Sequence, residues 1–198
     1  MMSWKSGPGL GQPQQVPEIS DEELLCGPGG DPARVHIWAG FSKPFETSLQ
    51  ELAKNIGRTD WGTGPMIQQV TSPLRAWIAE TLSSQPSILE TTGQDEVRIV
   101  PVPGPDGFEI GLAALMRTPN DDERIVGLLL RPDLVVDTLC RGFGIGRALI
   151  AAELLSTGGI PTWEHDKPGY SPGGAATVRA GIALARTLAP APEEVPYP

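Results

Sequence analysis

The chain has 198 residues, with 24 Gly, 21 Pro and a formal net charge of −9. This length allows one domain with a sizeable core, and the Gly and Pro excess lies mainly in the ends and loops, which favours a folded centre over global disorder. The 15 basic residues are scattered among 24 acidic ones. Nucleic acid is therefore not expected as a partner, because phosphate backbones select clustered Lys and Arg.

The two cysteines and the apolar runs exclude several other classes. Cys26 and Cys140 lie far apart without the spacing of a metal site, so neither a disulfide framework nor a metal centre is predicted. The first residues lack the apolar stretch of a signal peptide. No run approaches the roughly 20 apolar residues that a spanning helix needs. We therefore expect a cytoplasmic protein that has no membrane partner.

The first third is predicted to be a loose tail, a short helix, a strand and two longer helices. The tail covers residues 1–18, which mix Gly, Pro, Gln and Ser. The short helix spans 19–25, where Ser20 precedes three acidic residues. The other elements are a strand over 34–41, a helix begun by Ser48, and a helix begun by Ser72 with the apolar stripe Leu74, Ile78 and Leu82.

The remainder is predicted to contain an antiparallel meander and two helices. Short apolar strands separated by turns follow one another over 97–102, 108–116, 124–130 and 134–136. A helix begins at Gly144 and ends at Gly158, a strand follows over 160–166, and a last helix covers 174–189 before a Pro-rich tail, 190–198. This order predicts an α+β (mixed α/β) fold with a mostly antiparallel central sheet, as a single domain over 19–189.

The most informative segment joins the strand at 134–136 to the helix that follows it. Its turn carries glycines at alternate positions, Gly142, Gly144 and Gly146. Glycine lets the backbone turn tightly and approach a ligand, and the first N–H groups of a helix have no internal partner. Together with the helix dipole they form a seat for an anion such as a pyrophosphate. Neither the dinucleotide fingerprint G-x-G-x-x-G nor a P-loop motif is present.

The segment resembles the R-x-x-G-x-G motif of the GNAT superfamily of acyl-CoA N-acyltransferases, here Arg141-Gly142-Phe143-Gly144-Ile145-Gly146. The preceding strand, PDLVVD, and the following helix, GRALIAAELL, are also similar to the family's. The resemblance covers about residues 96–186 and implies a GNAT-like sheet flanked by helices. It also implies that acetyl-CoA or another acyl-CoA is the co-substrate, held by Leu134, Val135, Val136, Arg141, Gly142, Phe143, Gly144, Ile145, Gly146 and Arg147.

The same resemblance implies transfer of the acyl group to an amine on a small molecule or a protein. The general base candidates are His165 and Glu164, which as neighbours on a strand point to opposite faces, so that at most one of them faces the ligand. Asp166 is a further base candidate on the same strand, and Glu109 on an earlier strand is a weaker one. The family's Tyr in the last helix is replaced by Thr177 and Val178, and Tyr170 is the nearest phenol that can act as the acid. Homodimers are frequent in the family, and the sequence leaves the assembly open.

Two alternative interpretations remain open. In the first, the chain is a GNAT-fold protein that binds acyl-CoA without transferring the acyl group. The missing helix tyrosine favours this interpretation. In the second, the glycine turn is only structural, and the chain is an interaction module whose Pro-rich ends bind partners. The last interpretation predicts no affinity for coenzyme A, so a binding measurement separates it from the other two.

Overall fold

The computed structural model describes residues 2–26, 76–93, 96–104, 107–119, 121–130, 133–159 and 170–189. The strands within these ranges are β1 (Ser3–Ser6), β2 (Leu89–Thr92), β3 (Val97–Pro103), β4 (Glu109–Arg117), β5 (Glu123–Leu130) and β6 (Asp133–Val136). The helices are α1 (Asp21–Cys26), a π-helix (Ile78–Leu82), a 3₁₀ turn (Thr138–Cys140), α2 (Ile145–Thr157) and α3 (Pro172–Leu188).

The strands form one six-stranded sheet in the order β1-β2-β3-β4-β5-β6, and each neighbouring pair is antiparallel. The predicted meander and the α+β class are therefore confirmed. Successive side chains along each strand point to opposite faces of the sheet, so each face buries its own set of side chains. One face presents Ile99, Leu112, Ala114, Val126 and Leu129 to α2 and α3. The other presents Val100, Val102, Ala113, Leu115, Ile125 and Leu128 to the π-helix.

Helix α2 lies between the sheet and α3. Its residues from Ala148 to Leu155 are all buried, as expected for a helix that is covered on every side. It packs over Gly127 of β5, where an added Cβ would lie 2.9 Å from the Cγ2 of Ile145. The predicted apolar face of α2 is confirmed, and burial extends around it because α3 covers the side that faces away from the sheet.

The opposite face carries the helix whose stripe was predicted from Ile78 and Leu82. Both side chains are buried, 2% and 0% exposed, so these two stripe positions are confirmed. The expected α-geometry is wrong here, since the Ser83 N–H donates to the Ile78 carbonyl five residues earlier, at 2.8 Å, which is a π-helical bond. Ser72 and Leu74 lie outside the described residues.

The prediction that residues 1–18 form a loose tail is wrong for the described part of that segment. Strand β1 pairs with β2 and buries Trp4. This short, mostly polar segment is therefore an edge strand of the sheet. The chain then crosses to the helix layer, where the Gln14 N–H donates to the Leu155 carbonyl at 2.9 Å. Strand β2, which carries only four residues, is absent from the sequence prediction.

The short helix predicted over 19–25 is confirmed as α1. Ser20 and Glu23 form a capping box, since the Ser20 N–H donates to Glu23 at 3.0 Å and the Glu23 N–H donates to the Ser20 hydroxyl at 3.2 Å. Asp21 forms an ion pair with Arg179 of α3. The N-terminal segment that ends with α1 is thereby attached to α3.

Several predicted elements lie outside the described residues. They are the strand over 34–41, the helix begun by Ser48, the strand over 160–166 and the tail 190–198. Among the helices that the structure does describe, none has the length and apolar character to cross a bilayer.

The contact between α2 and α3 depends on Gly181. An added Cβ there would lie 2.5 Å from the Cγ2 of Ile150, which is a stiff β-branched residue, and 3.1 Å from the Arg147 carbonyl. We expect Gly181→Ala to lower the free energy of unfolding by about 1–2 kcal/mol, because this overpacking outweighs the gain in helix propensity. Chemical denaturation measures the change. Gly173→Ala is the matched control, since nothing lies within 4 Å of its added Cβ, and equal stability of the two variants would contradict the packing argument.

Arg98 joins the sheet to the end of the π-helix. Its Nε donates to Oε1 of Glu123 at 2.6 Å and its Nη2 to Oε2 at 2.8 Å. The same guanidinium donates to the carbonyls of Ser83 and Gln85. Burial alone would raise the pKa of the Glu123 carboxyl, but hydrogen bonds from Arg98 and Ser83, with the charges of Arg98 and Arg117, outweigh it and lower the pKa. The fold therefore favours ionised Glu123.

This lowered pKa predicts a loss of stability in acid. The Glu123 contribution is fully present above the ordinary value of 4.5 and is lost as the pH falls through the lower value of the folded protein. We expect Glu123→Gln to be less stable than the wild type at pH 7 and to lose less stability between pH 5 and pH 3. Urea denaturation across that range tests this. Glu18→Gln, which removes an exposed carboxylate, is the control, and parallel curves for wild type and Glu123→Gln would refute the assignment.

Candidate functional site

The connection from β6 to α2 is built by a buried aspartate. Asp137 is 0% exposed and its carboxylate accepts a hydrogen bond from the Leu139 N–H at 2.9 Å. Its own N–H donates to the Val126 carbonyl, and its carbonyl accepts from the Cys140 N–H, both at 2.9 Å. These bonds fix the 3₁₀ turn and set the direction in which the chain enters the glycine turn.

The glycines of the turn serve two different purposes. Gly142 and Gly144 have φ angles of +85° and +87°, which an L side chain adopts only with strain. Gly146 has a helical conformation, but an added Cβ would lie 3.2 Å from the Cγ2 of Thr177. The first two glycines therefore allow the turn, and the third allows α2 and α3 to approach each other.

The first turn of α2 presents unpaired donors. The earliest intrahelical bond runs from the Ala148 N–H to the Gly144 carbonyl at 3.1 Å, so the preceding amides have no partner within the helix. Arg147 folds across this turn, with its Nε 2.8 Å from the position of a Cβ on Gly144. That Nε is buried and has no hydrogen-bond partner among the residues that the structure describes. A buried unsatisfied donor of this kind is uncommon and is consistent with a site that a ligand completes.

A cavity of about 710 Å³ opens beside this turn. The residues that line it come from β6, the glycine turn, the start of α2 and the first half of α3. They are Leu134, Val135, Val136, Cys140, Arg141, Gly142, Gly144, Ile145, Gly146, Arg147, Ser171, Gly173, Gly174, Ala176, Thr177 and Ala180. The structure thus brings together all the residues predicted to hold the cofactor except Phe143, which is 46% exposed and does not line the cavity.

The charge of this cavity is opposite to that of the protein. Its lining contains Arg141 and Arg147 but no carboxylate from the described residues, whereas the chain as a whole carries −9. The dipole of α2 adds a partial positive charge at the same place. The cavity therefore combines positive charge at the start of α2 with apolar walls from β6 and α3.

Cys140 lines the cavity as a free, half-buried thiol. Burial raises the pKa of this thiol, and the charge of Asp137 raises it further. The thiol is therefore neutral near pH 7 and is a poor nucleophile. Its contribution to the site is to fill space.

Of the three predicted catalytic residues, the structure describes Tyr170 alone. His165 and Glu164 lie outside the described residues. Tyr170 lies just before α3, where it packs against the hydrophobic core and its N–H donates to the Leu24 carbonyl at 2.8 Å. It is not among the residues that line the cavity. The acid and base assignments remain predictions.

The wall formed by α3 is the part of the site that sequence reasoning missed. The helix begins at Pro172, two residues earlier than predicted, because the Ser171 hydroxyl accepts a hydrogen bond from the Gly174 N–H at 3.1 Å. Ser followed by Pro is a common start of a helix, with Ser as the cap and Pro at the first position. That signal in the sequence would have placed the start of α3 correctly.

The described residues contain no group of His, Cys, Asp or Glu side chains that could hold a metal ion. Comparison with protein-family models, with curated proteins and with solved structures gave no match to this chain.

Proposed function

We propose that the chain binds an acyl-coenzyme A in the cavity beside the glycine turn and transfers the acyl group to an amine. The observation that carries this proposal is the buried Nε of Arg147, which has no hydrogen-bond partner among the described residues, at a cavity to which those residues contribute two arginines and no carboxylate. The GNAT-like sequence pattern at Arg141–Gly146 and the order of strand, turn and helix around it support the same ligand. The six-stranded sheet with α2 and α3 is compatible with a GNAT-like fold.

The residues of this chain fit a pyrophosphate at the start of α2. The amides of Ile145 and Gly146 are candidates to donate hydrogen bonds to its oxygens, and the Arg147 guanidinium supplies the charge. Gly142 leaves open space where a Cβ would stand, and Gly144 leaves room for the side chain of Arg147. Such a set of main-chain donors does not need to rearrange when an anion arrives.

The thioester of the bound coenzyme supplies an activated acyl group. Leu134, Val135 and Val136 of β6 line the cavity, and their backbone groups are the ones proposed to orient the acyl group. An amine must lose a proton before it attacks a carbonyl, and His165 or Glu164 is the proposed base, with Tyr170 as the proposed acid. The acidic balance of the chain favours a cationic acceptor, either a small molecule or a protein.

Calorimetric titration of acetyl-CoA into the wild type and into Gly144→Glu tests the binding part of the proposal. We expect binding by the wild type and none by the variant, because the new side chain adds negative charge and strains a residue with φ +87°. Gly107→Glu is the matched control, since Gly107 also has a positive φ of +76°, with nothing within 4 Å of an added Cβ. A folded wild type that binds neither acetyl-CoA nor longer acyl-CoA would refute the proposal.

Transfer is tested by following the release of free coenzyme A thiol from acyl-CoA in the presence of primary amines. Release that depends on an amine and is lost in Gly144→Glu supports the transferase. Binding without release for small amines and for lysine-rich peptides alike would favour the non-catalytic acyl-CoA-binding protein.

A further inference from the structure

The two arginines of the cavity differ in position and in exposure to solvent. Arg147 lies in the first turn of α2 and folds across Gly144, with its Nε sequestered from solvent. Arg141 precedes the glycine turn, follows the 3₁₀ turn directly and is exposed. Both line the same cavity, so a ligand in it meets one cation whose Nε is buried and one that is exposed to solvent.

The charges of an acyl-CoA can be assigned to these two cations. Its diphosphate carries about two negative charges, and the α2 amides with their partial positive charge and Arg147 together supply about +1.5. Coenzyme A also carries a 3′-phosphate on its ribose, a monoester with a charge of about −1.5 to −2 at pH 7. Arg141 is the other cation that the described residues contribute to the cavity lining, and it is exposed to solvent.

We propose that Arg141 determines specificity for the 3′-phosphate of coenzyme A, whereas Arg147 holds the diphosphate; this inference rests on the proposed function. Guanidinium pairs with phosphate through two parallel hydrogen bonds, which distinguishes a phosphate monoester from a ribose hydroxyl. The wild type therefore prefers coenzyme A to dephospho-coenzyme A, which differs from it only by the missing 3′-phosphate.

The experiment is a calorimetric titration of both ligands, at one ionic strength, into the wild type, Arg141→Ala and Arg147→Met. We expect the wild type to bind coenzyme A roughly tenfold more tightly, a typical effect of one charged hydrogen-bonding contact. Arg141→Ala weakens binding of coenzyme A to the level of dephospho-coenzyme A and leaves the latter unchanged. Arg147→Met weakens both ligands by the same factor. Arg141→Lys restores part of the preference, because the charge remains.

Arg124→Ala is the control for a general effect of charge. Arg124 lies on β5 and does not line this cavity, so its removal leaves the ratio of the two affinities unchanged. Equal binding of the two ligands by the wild type, or equal weakening of both by Arg141→Ala, would overturn the inference while leaving the proposed function intact. Binding of neither ligand by the wild type would overturn both.

Discussion

Replacing Arg147 by Met is expected to remove most of the affinity for acyl-CoA without destabilising the protein. The buried Nε of Arg147 has no hydrogen-bond partner within the described part of the chain, and an unsatisfied buried donor costs about 1–3 kcal/mol of stability. The Met side chain extends as far as the position of Nε and has no polar hydrogen, so the variant should unfold at the same denaturant concentration as the wild type or at a higher one. Loss of a charged contact should weaken acyl-CoA binding roughly 10- to 100-fold.

The expected changes in stability and in acyl-CoA affinity do not run in parallel, so measuring both separates a binding role of Arg147 from a structural one. If Arg147 only supported the turn, its removal would lower stability, and acetyl-CoA affinity would fall only as the fold was lost. Arg124→Met removes the same charge from β5, outside the cavity, and should leave acetyl-CoA affinity within about twofold, since it can act only through long-range electrostatics. Urea denaturation without ligand and calorimetry with acetyl-CoA give both quantities, and a less stable Arg147→Met variant with unchanged affinity would contradict the assignment.

The largest effect on stability is expected at Arg98, which lies in the opposite layer. Its guanidinium makes two hydrogen bonds to Glu123 and two to the carbonyls of Ser83 and Gln85. The side chains of Arg98 and Glu123 are only 21% and 10% exposed, so Arg98→Met leaves a mostly buried carboxylate without its partner. We expect a loss of about 3–5 kcal/mol in the free energy of unfolding, which is a large part of a typical total.

Two variants separate the ion pair from simple packing. Arg98→Lys keeps the charge but not the fork of donors, so it should lose about half as much as Arg98→Met. Replacing both partners, Arg98→Met with Glu123→Leu, should recover part of the loss because no charge is left buried. Thermal and urea unfolding of the four proteins measure the differences. A double variant that is as unstable as Arg98→Met alone would show that the loss comes from packing.

The sheet was largely predictable because each strand from β3 to β6 has its own apolar alternation and is separated by a clear turn. Strand β1 was not predictable, since Ser3–Ser6 has a single apolar residue, Trp4, and is a strand only because β2 offers an edge. The π-geometry of Ile78–Leu82 was equally hidden, because residues four apart suit both an α-helix and its wider variant.

The glycine turn and its cavity were predictable in composition but not in shape. Alternate glycines before an amphipathic helix indicate an anion site from local sequence alone. The wall from Ala176, Thr177 and Ala180 depends on how α3 packs against α2, which is a long-range contact. The motif does not encode the direction of each side chain within the turn. It therefore could not predict that Phe143 points outward and that Arg147 folds inward.

The measurement that tests the central claim most directly is the change in backbone amide NMR shifts when acetyl-CoA is added to the ¹⁵N-labelled protein. We predict the largest changes at Gly142, Gly144 and Gly146, with little change at Gly107 and Gly93, which lie in turns away from the cavity. Gly144→Glu should abolish these changes. Binding that shifts a different set of amides and leaves the three turn glycines unmoved would contradict the account, because the ligand would then lie elsewhere.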